Sequence, residues 1–213
     1  AVSALSYVKD SGDLIARLDA LRTAGAPPTR WIPVAVLLGN TFALSGFMAW
    51  SSGSRARMAE PRAQLRRVCE ILEGVGDGVE LNAWLGYLDA VSDRSPESIA
   101  RGERALALAR EGTDRAVEAN VQKFLGWSCH VVGLYARHEE LQEDALRRFR
   151  RWLSARDFVA VCNDYGVALL ARGQPDQAER VARLGFETAD ATGLPSAMAN
   201  IRATLASALA MRG

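Results

Sequence analysis

The sequence predicts an all-α protein, one continuous solenoid of helix-turn-helix repeats about 40 residues long. Three observations predict it. Two independent series of small residues recur at the same spacing, the segments between them carry apolar residues at helical period, and helix-start and helix-stop residues punctuate the chain where such a repeat needs them. The first series is Ser45-Gly46, Leu85-Gly86, Leu125-Gly126, Tyr165-Gly166 and Leu205-Ala206, each 40 residues from the next. The second, seven residues later, is Gly53, Asp93, Gly133, Gly173 and Gly213. A glycine inside a helix costs about 1 kcal/mol relative to alanine, so the first series requires a compensating close approach of a neighbouring helix. The second falls where a helix stops, and glycine or aspartate there tolerates the left-handed backbone that ends it.

Taken in order, the elements are a leading helix near 4–23, then pairs near 31–52 and 55–73, 79–92 and 96–111, 115–134 and 137–153, and 156–172 and 175–191. A last helix lies near 196–211. Ser95-Pro96-Glu97-Ser98 places proline in a first helical turn with Ser95 as its cap, and Gly173-Gln174-Pro175-Asp176 repeats the device. The second helices are amphipathic, with inward stripes of Ala178, Val181, Ala182, Leu184, Gly185 and Phe186 in one and Ile99, Ala105, Leu106 and Leu108 in another. Gly112-Thr113-Asp114 and Thr192-Gly193-Leu194-Pro195 separate pairs.

From Trp31 to Trp50 no charged residue occurs, a length and a tryptophan flank that also suit a membrane span. Pro33, Gly39, Asn40, Thr41, Ser45 and Gly46 dilute the apolarity, and Gly46 falls in the repeat register. The expectation is a fully buried solenoid helix and no membrane association, with a spanning helix as the rival.

The 26 basic and 25 acidic side chains nearly cancel, so no net field draws in nucleic acid over long range. Cys69, Cys129 and Cys162 lie far apart with no C-x-x-C spacing, which predicts buried thiols in a reducing cytoplasm and neither a disulfide framework nor a zinc site. Cys129, His130, His138 and Cys162 make a poor metal quartet, because adjacent helical residues point about 100 degrees apart. No phosphate loop, dinucleotide fingerprint, H-E-x-x-H or nucleophile elbow occurs, so no catalytic residue and no cofactor is expected. The chain opens at Ala1 without a secretion signal and ends at Met211-Arg212-Gly213, where the register calls for a further helix. It is expected to be part of a longer protein, and its uncapped last helix to allow homodimer formation.

Trp84-Leu85-Gly86, Leu125-Gly126 and the run from Ala105 to Asp114, ALALAREGTD, resemble tetratricopeptide-like repeats. The period exceeds the about 34 residues typical of that repeat. It is similar to the variant in the helical sensor region of MalT-type bacterial transcription regulators and related signalling ATPases. The likeness covers nearly the whole chain and is weakest over the first 30 residues. Two departures are Tyr165 in place of leucine, and the run Leu141 to Leu146, which lacks the small residue of a second helix. The resemblance implies a right-handed superhelical solenoid of antiparallel helix pairs, a single domain over 1–213 with four to five repeats. It implies a scaffold or sensor module of a signalling or transcription-regulatory protein, with a protein or peptide, or a small-molecule inducer, in its concave groove. A peptide-binding assembly adaptor and a helical enzyme with an unseen motif stay open beside it.

In such a solenoid the first helices line the concave wall. Two residues after the leucine of the first series come Phe47, Tyr87, Trp127, Val167 and Ser207, and five before it come Asn40, Glu80, Asn120, Ala160 and Asn200. Residues seven apart share a helix face, so Asn40 with Phe47 and Asn120 with Trp127 form columns of amide and aromatic groups suited to peptide backbone. Lys123 stands near their centre to meet an acidic group, and Asn163 and Asn200 complete the candidate groove. The aromatic residues serve equally well as packing between first helices, and the asparagines as helix-to-helix hydrogen bonds. The run Arg147-Arg148-Phe149-Arg150-Arg151-Trp152 offers arginine and aromatic interleaving. Its spacing turns Phe149 and Trp152 inward and leaves the arginines as a solvated stripe beside Glu139, Glu140, Glu143 and Asp144.

Overall fold

A computed structural model describes residues 4–148 and 150–213. Among these residues there is no strand, and the helices are α1 (Ala4–Thr23), α2 (Pro28–Ser51), α3 (Arg55–Ile71), α4 (Val79–Asp93), α5 (Pro96–Glu111), α6 (Arg115–Val132), α7 (Tyr135–Arg148), α8 (Ala155–Ala171), α9 (Pro175–Thr192) and α10 (Pro195–Arg212). All ten match the expected segments. Two boundaries move for identifiable reasons. α2 starts earlier because Pro27 and Pro28 occupy its N-cap and first position, where a missing N–H leaves no bond unmade. α7 stops at Arg148 because Leu153 turns in to be buried and Ser154 caps the next helix. Trp152 is therefore 43% exposed, against the expected inward orientation, and Phe149 lies outside the described residues.

The chain forms two compact units, Ala1–Gly112 and Thr113–Gly213. In the first, α2 packs along α3 and α4, α4 pairs with α5, and α1 rests on α2 and α3. Phe42, Met58, Leu65, Leu81, Leu85 and Leu106 fill its interior. In the second, α6 pairs with α7, and α8 pairs with α9, while α10 packs on both α8 and α9. Its core joins Phe158, Val159, Val161 and Cys162 of α8 to Ala182 and Ala189 of α9 and Ile201 of α10. α4 and α6 are buried around most of their circumference, whereas α5, α7 and α9 bury one stripe each, the arrangement that stabilises amphipathic helices of marginal intrinsic helicity.

Both marker series do what their chemistry demands. A Cβ added at Gly86 would lie 3.0 Å from the Ser98 carbonyl oxygen, and one at Gly46 would lie 2.7 Å from Leu88 Cδ1, so the interior glycines admit a neighbouring helix. Gly53, Gly133, Gly173 and Gly213 have positive φ. The series is displaced by one residue at Asp93, which stays helical while Arg94 takes the left-handed conformation, φ 51°. Ser95 caps α5 by accepting from the Glu97 N–H at 3.1 Å. Leu108, expected inward, is 54% exposed.

α2 departs most from expectation, since it is buried along one face only. Ala35, Gly39, Phe42, Ala43 and Gly46 pack inward, whereas Leu37, Leu44 and Met48 are more than half exposed. Among the described residues it is the one helix long and apolar enough to cross a membrane.

Candidate functional site

The second unit gathers polar side chains on α6 and α8. Asp114 caps α6 by accepting from the Ala116 N–H at 2.8 Å, and Ser154 caps α8 by accepting from the Asp157 N–H at 3.1 Å. These caps fix the start of each helix and so the level at which their side chains meet. Lys123, only 3% exposed, donates from Nζ to Asp157 Oδ1 at 2.5 Å and to Asn120 Oδ1 at 3.3 Å. Its ammonium also stands 4.4 Å from the Phe124 ring centroid and 5.3 Å from that of Trp127. The acidic group expected to meet Lys123 is thus supplied by the chain itself. Burial pushes the Asp157 carboxyl up, but the Lys123 charge, with hydrogen bonds from Lys123 and Ser154, outweighs it and holds the group below its ordinary value.

About two turns further along α8 lies Asp164. Burial drives its carboxyl up to about 6, against the weaker lowering effects of the Asn163 amide, the Trp127 indole N–H and the Lys123 charge. Asn163 donates to Asp164 Oδ1 at 3.2 Å and accepts from Thr204 Oγ1 of α10 at 2.8 Å. Asn120, Trp127, Lys123 and Asn163 are thereby brought onto one surface with Asp157 and Asp164, and Asn163 also serves as a helix-to-helix bond. With Lys123 already engaged, the arrangement offers incoming molecules a half-buried carboxylate of raised proton affinity beside an indole. Such a pair takes up N–H donors and flat or apolar groups.

Sequence reasoning missed both aspartates. The signal was available in the register: the position of Asp164 in the other repeats is Leu44, Trp84, Phe124 and Thr204, an otherwise largely apolar column. Asp89 of the first unit likewise breaks the column Ala49, Cys129, Leu169 and Leu209. It accepts from Arg66 at 2.8 Å, with Arg62 and Arg101 at 3.8 and 3.9 Å. Burial raises its proton affinity despite these three guanidinium groups.

The remaining candidates are distributed differently. Phe47, Trp50, Trp84 and Tyr87 form an aromatic cluster with ring centroids 5.7 to 6.5 Å apart. Tyr87 is only 4% exposed, so it packs within this cluster, which is the packing alternative for that column. Asn40 on α2 and Asn200 on α10 are exposed. Arg147 and Arg148 bond to Asp144 and, for Arg148, Glu118, while the Arg150 and Arg151 guanidinium groups lie over the Phe158 and Trp152 rings.

Cys69, Cys129 and Cys162 are buried free thiols, and burial pushes Cys69 and Cys162 up to about 12. His138 Nδ1 lies 2.8 Å from the Gly126 carbonyl oxygen, and burial lowers the proton affinity of both His138 and His130. Among the described residues no three His, Cys, Asp or Glu side chains are grouped to hold a metal ion. No protein-family model matches the chain, and no curated protein is significantly similar to it.

Proposed function

We propose that the chain is a tetratricopeptide-like helical-repeat module that binds a protein or peptide, without catalysis of its own, as the sensor or scaffold part of a cytoplasmic signalling or transcription-regulatory protein. The observation that supports this reading is the half-buried constellation on α6 and α8, above all Asp164. A helix-to-helix contact serving stability alone gains from apolar side chains, such as Phe124 at the equivalent position of α6. A carboxylate placed there without a dedicated cation costs free energy in the folded chain. Its presence beside Trp127 is accounted for by a partner that supplies a cation and covers the indole.

The occupant this face favours is a peptide segment with a lysine, an arginine or a free amino terminus for Asp164 and an apolar neighbour for Trp127. Titration of the chain with a panel of such peptides, followed by calorimetry, tests it. Binding is expected for at least one, weakened tenfold or more in an Asn120→Ala/Trp127→Ala variant whose helicity by circular dichroism is unchanged. Undiminished affinity in that folded variant would refute the assignment of this face.

A further inference from the structure

We infer that the outer face of α2 is a contact between two copies of the chain, packed antiparallel about residue 41. Val34, Leu37, Leu44 and Met48 are 39%, 69%, 58% and 59% exposed, and with Thr41 they are spaced three and four residues apart, the narrow seam of a helix that packs on another helix. The hydroxyl groups of Thr41 and Ser45, on and beside the seam, are already satisfied. Thr41 Oγ1 donates to the Leu37 carbonyl at 2.9 Å and Ser45 Oγ to the Thr41 carbonyl at 2.8 Å, which leaves methyl groups facing outward.

The choice of a second copy rests on size, symmetry and charge. The seam presents on the order of 400 Å² per copy, a patch large enough to mark an interaction site. Two copies bury about 800 to 1,000 Å², the low end for a specific contact and that of a reversible dimer. An antiparallel pair sets Leu37 against Leu44 and Val34 against Met48, brings Thr41 onto itself, and opposes the two helix dipoles. With no charged residue between Trp31 and Trp50, nothing on the seam repels a like copy or selects an oppositely charged partner. A lipid interior is a poorer occupant, because the other face of α2 is locked to α3 and α4. Gly39 admits Leu81 and Val68, Gly46 admits Leu88, and α3 carries Arg62 and Arg66 paired to Asp89, charges that a spanning α2 would draw toward hydrocarbon. α10 offers only Leu209 and Met211 as exposed large apolar side chains.

Sedimentation equilibrium of the chain is expected to show a monomer–dimer equilibrium, shifted to monomer by at least tenfold in Leu37→Glu/Leu44→Glu. These positions are exposed, so the variant is expected to keep its helicity. Under mild oxidation Thr41→Cys is expected to form a disulfide-linked dimer, whereas Val34→Cys does so only when mixed with Met48→Cys; the three native thiols are buried. A wild-type chain that stays monomeric up to the highest concentration at which it is soluble overturns the proposal, as does a dimer indifferent to the two glutamates. So does Val34→Cys cross-linking to itself as readily as Thr41→Cys, or a monomer that binds phosphatidylcholine vesicles through the seam.

Discussion

Replacing Asp164 by asparagine isolates the least compensated charge of the α6–α8 face. Asparagine has nearly the same volume and keeps a carbonyl oxygen to accept from the Asn163 amide, so the main change is loss of the ionisable group. The carboxyl titrates near its ordinary value of 3.8 in the unfolded chain and at about 6 in the folded one. Below the lower value both states are protonated and nothing is lost. Between the two, the unfolded chain has released its proton while the folded chain still holds it, so folding stability falls as pH rises. Above about 6 the loss is complete. A difference of that size corresponds to about 3 kcal/mol, and screening at a half-buried site with loss of the Lys123 attraction reduces the expected net gain for Asp164→Asn to roughly 1 to 2 kcal/mol at pH 7. Urea unfolding of both proteins between pH 4 and 7.5, followed by circular dichroism, reads it as a difference that opens from near zero to its full value across that window. A difference constant with pH, or a variant less stable than wild type at neutral pH, would refute the reasoning.

Two further outcomes are expected. Gly86→Ala should lose about 1 to 3 kcal/mol despite the better helix propensity of alanine, because its Cβ meets the backbone carbonyl of Ser98; Gly46→Ala, which meets only the end of the Leu88 side chain, should lose less, and equal melting temperatures would contradict this. Lys123→Met and Asp157→Asn should each destabilise, with a coupling of about 1 to 3 kcal/mol in the double-mutant cycle, and strictly additive losses would show that the pair contributes nothing. The contribution of Asp157 is present above its unfolded value and lost as pH falls through its lowered folded value, so the cycle is best read near neutrality.

The number and placement of the helices were legible because the features that set them are local or periodic. Gly173 stops one helix by its backbone conformation and Pro175 starts the next, and neither depends on distant residues. The site was less legible, because a 40-residue period states which residues occupy equivalent positions but not which long side chains reach each other. Lys123 meets Asp157, 34 residues on, a separation outside the period, and its burial removed it from the open groove for which it was a candidate. α2 misled for a different reason. Uniform apolarity around a helix predicts burial on all sides, and composition cannot tell a face covered by the chain from one left for another molecule.

Asp89 and Asp164 both break otherwise largely apolar columns of the repeat, and the contrast between them is informative. Asp89 draws Arg62, Arg66 and Arg101 from α3 and α5, so its placement is explained within the first unit as an anchor joining three helices. Asp164 has the neutral Asn163 amide at Oδ1 and, nearby, a lysine already bound to another carboxylate. An element whose only role was stability would be improved by asparagine there. A residue that serves binding gives the same gain with a second effect, a variant that is more stable and binds its peptide less well, the trade-off seen where function requires a locally unfavourable group. Measuring both quantities on Asp164→Asn therefore separates the two accounts. Gain of stability with unchanged peptide affinity would place Asp164 outside the binding face, and gain of stability with weakened affinity would place it at its centre.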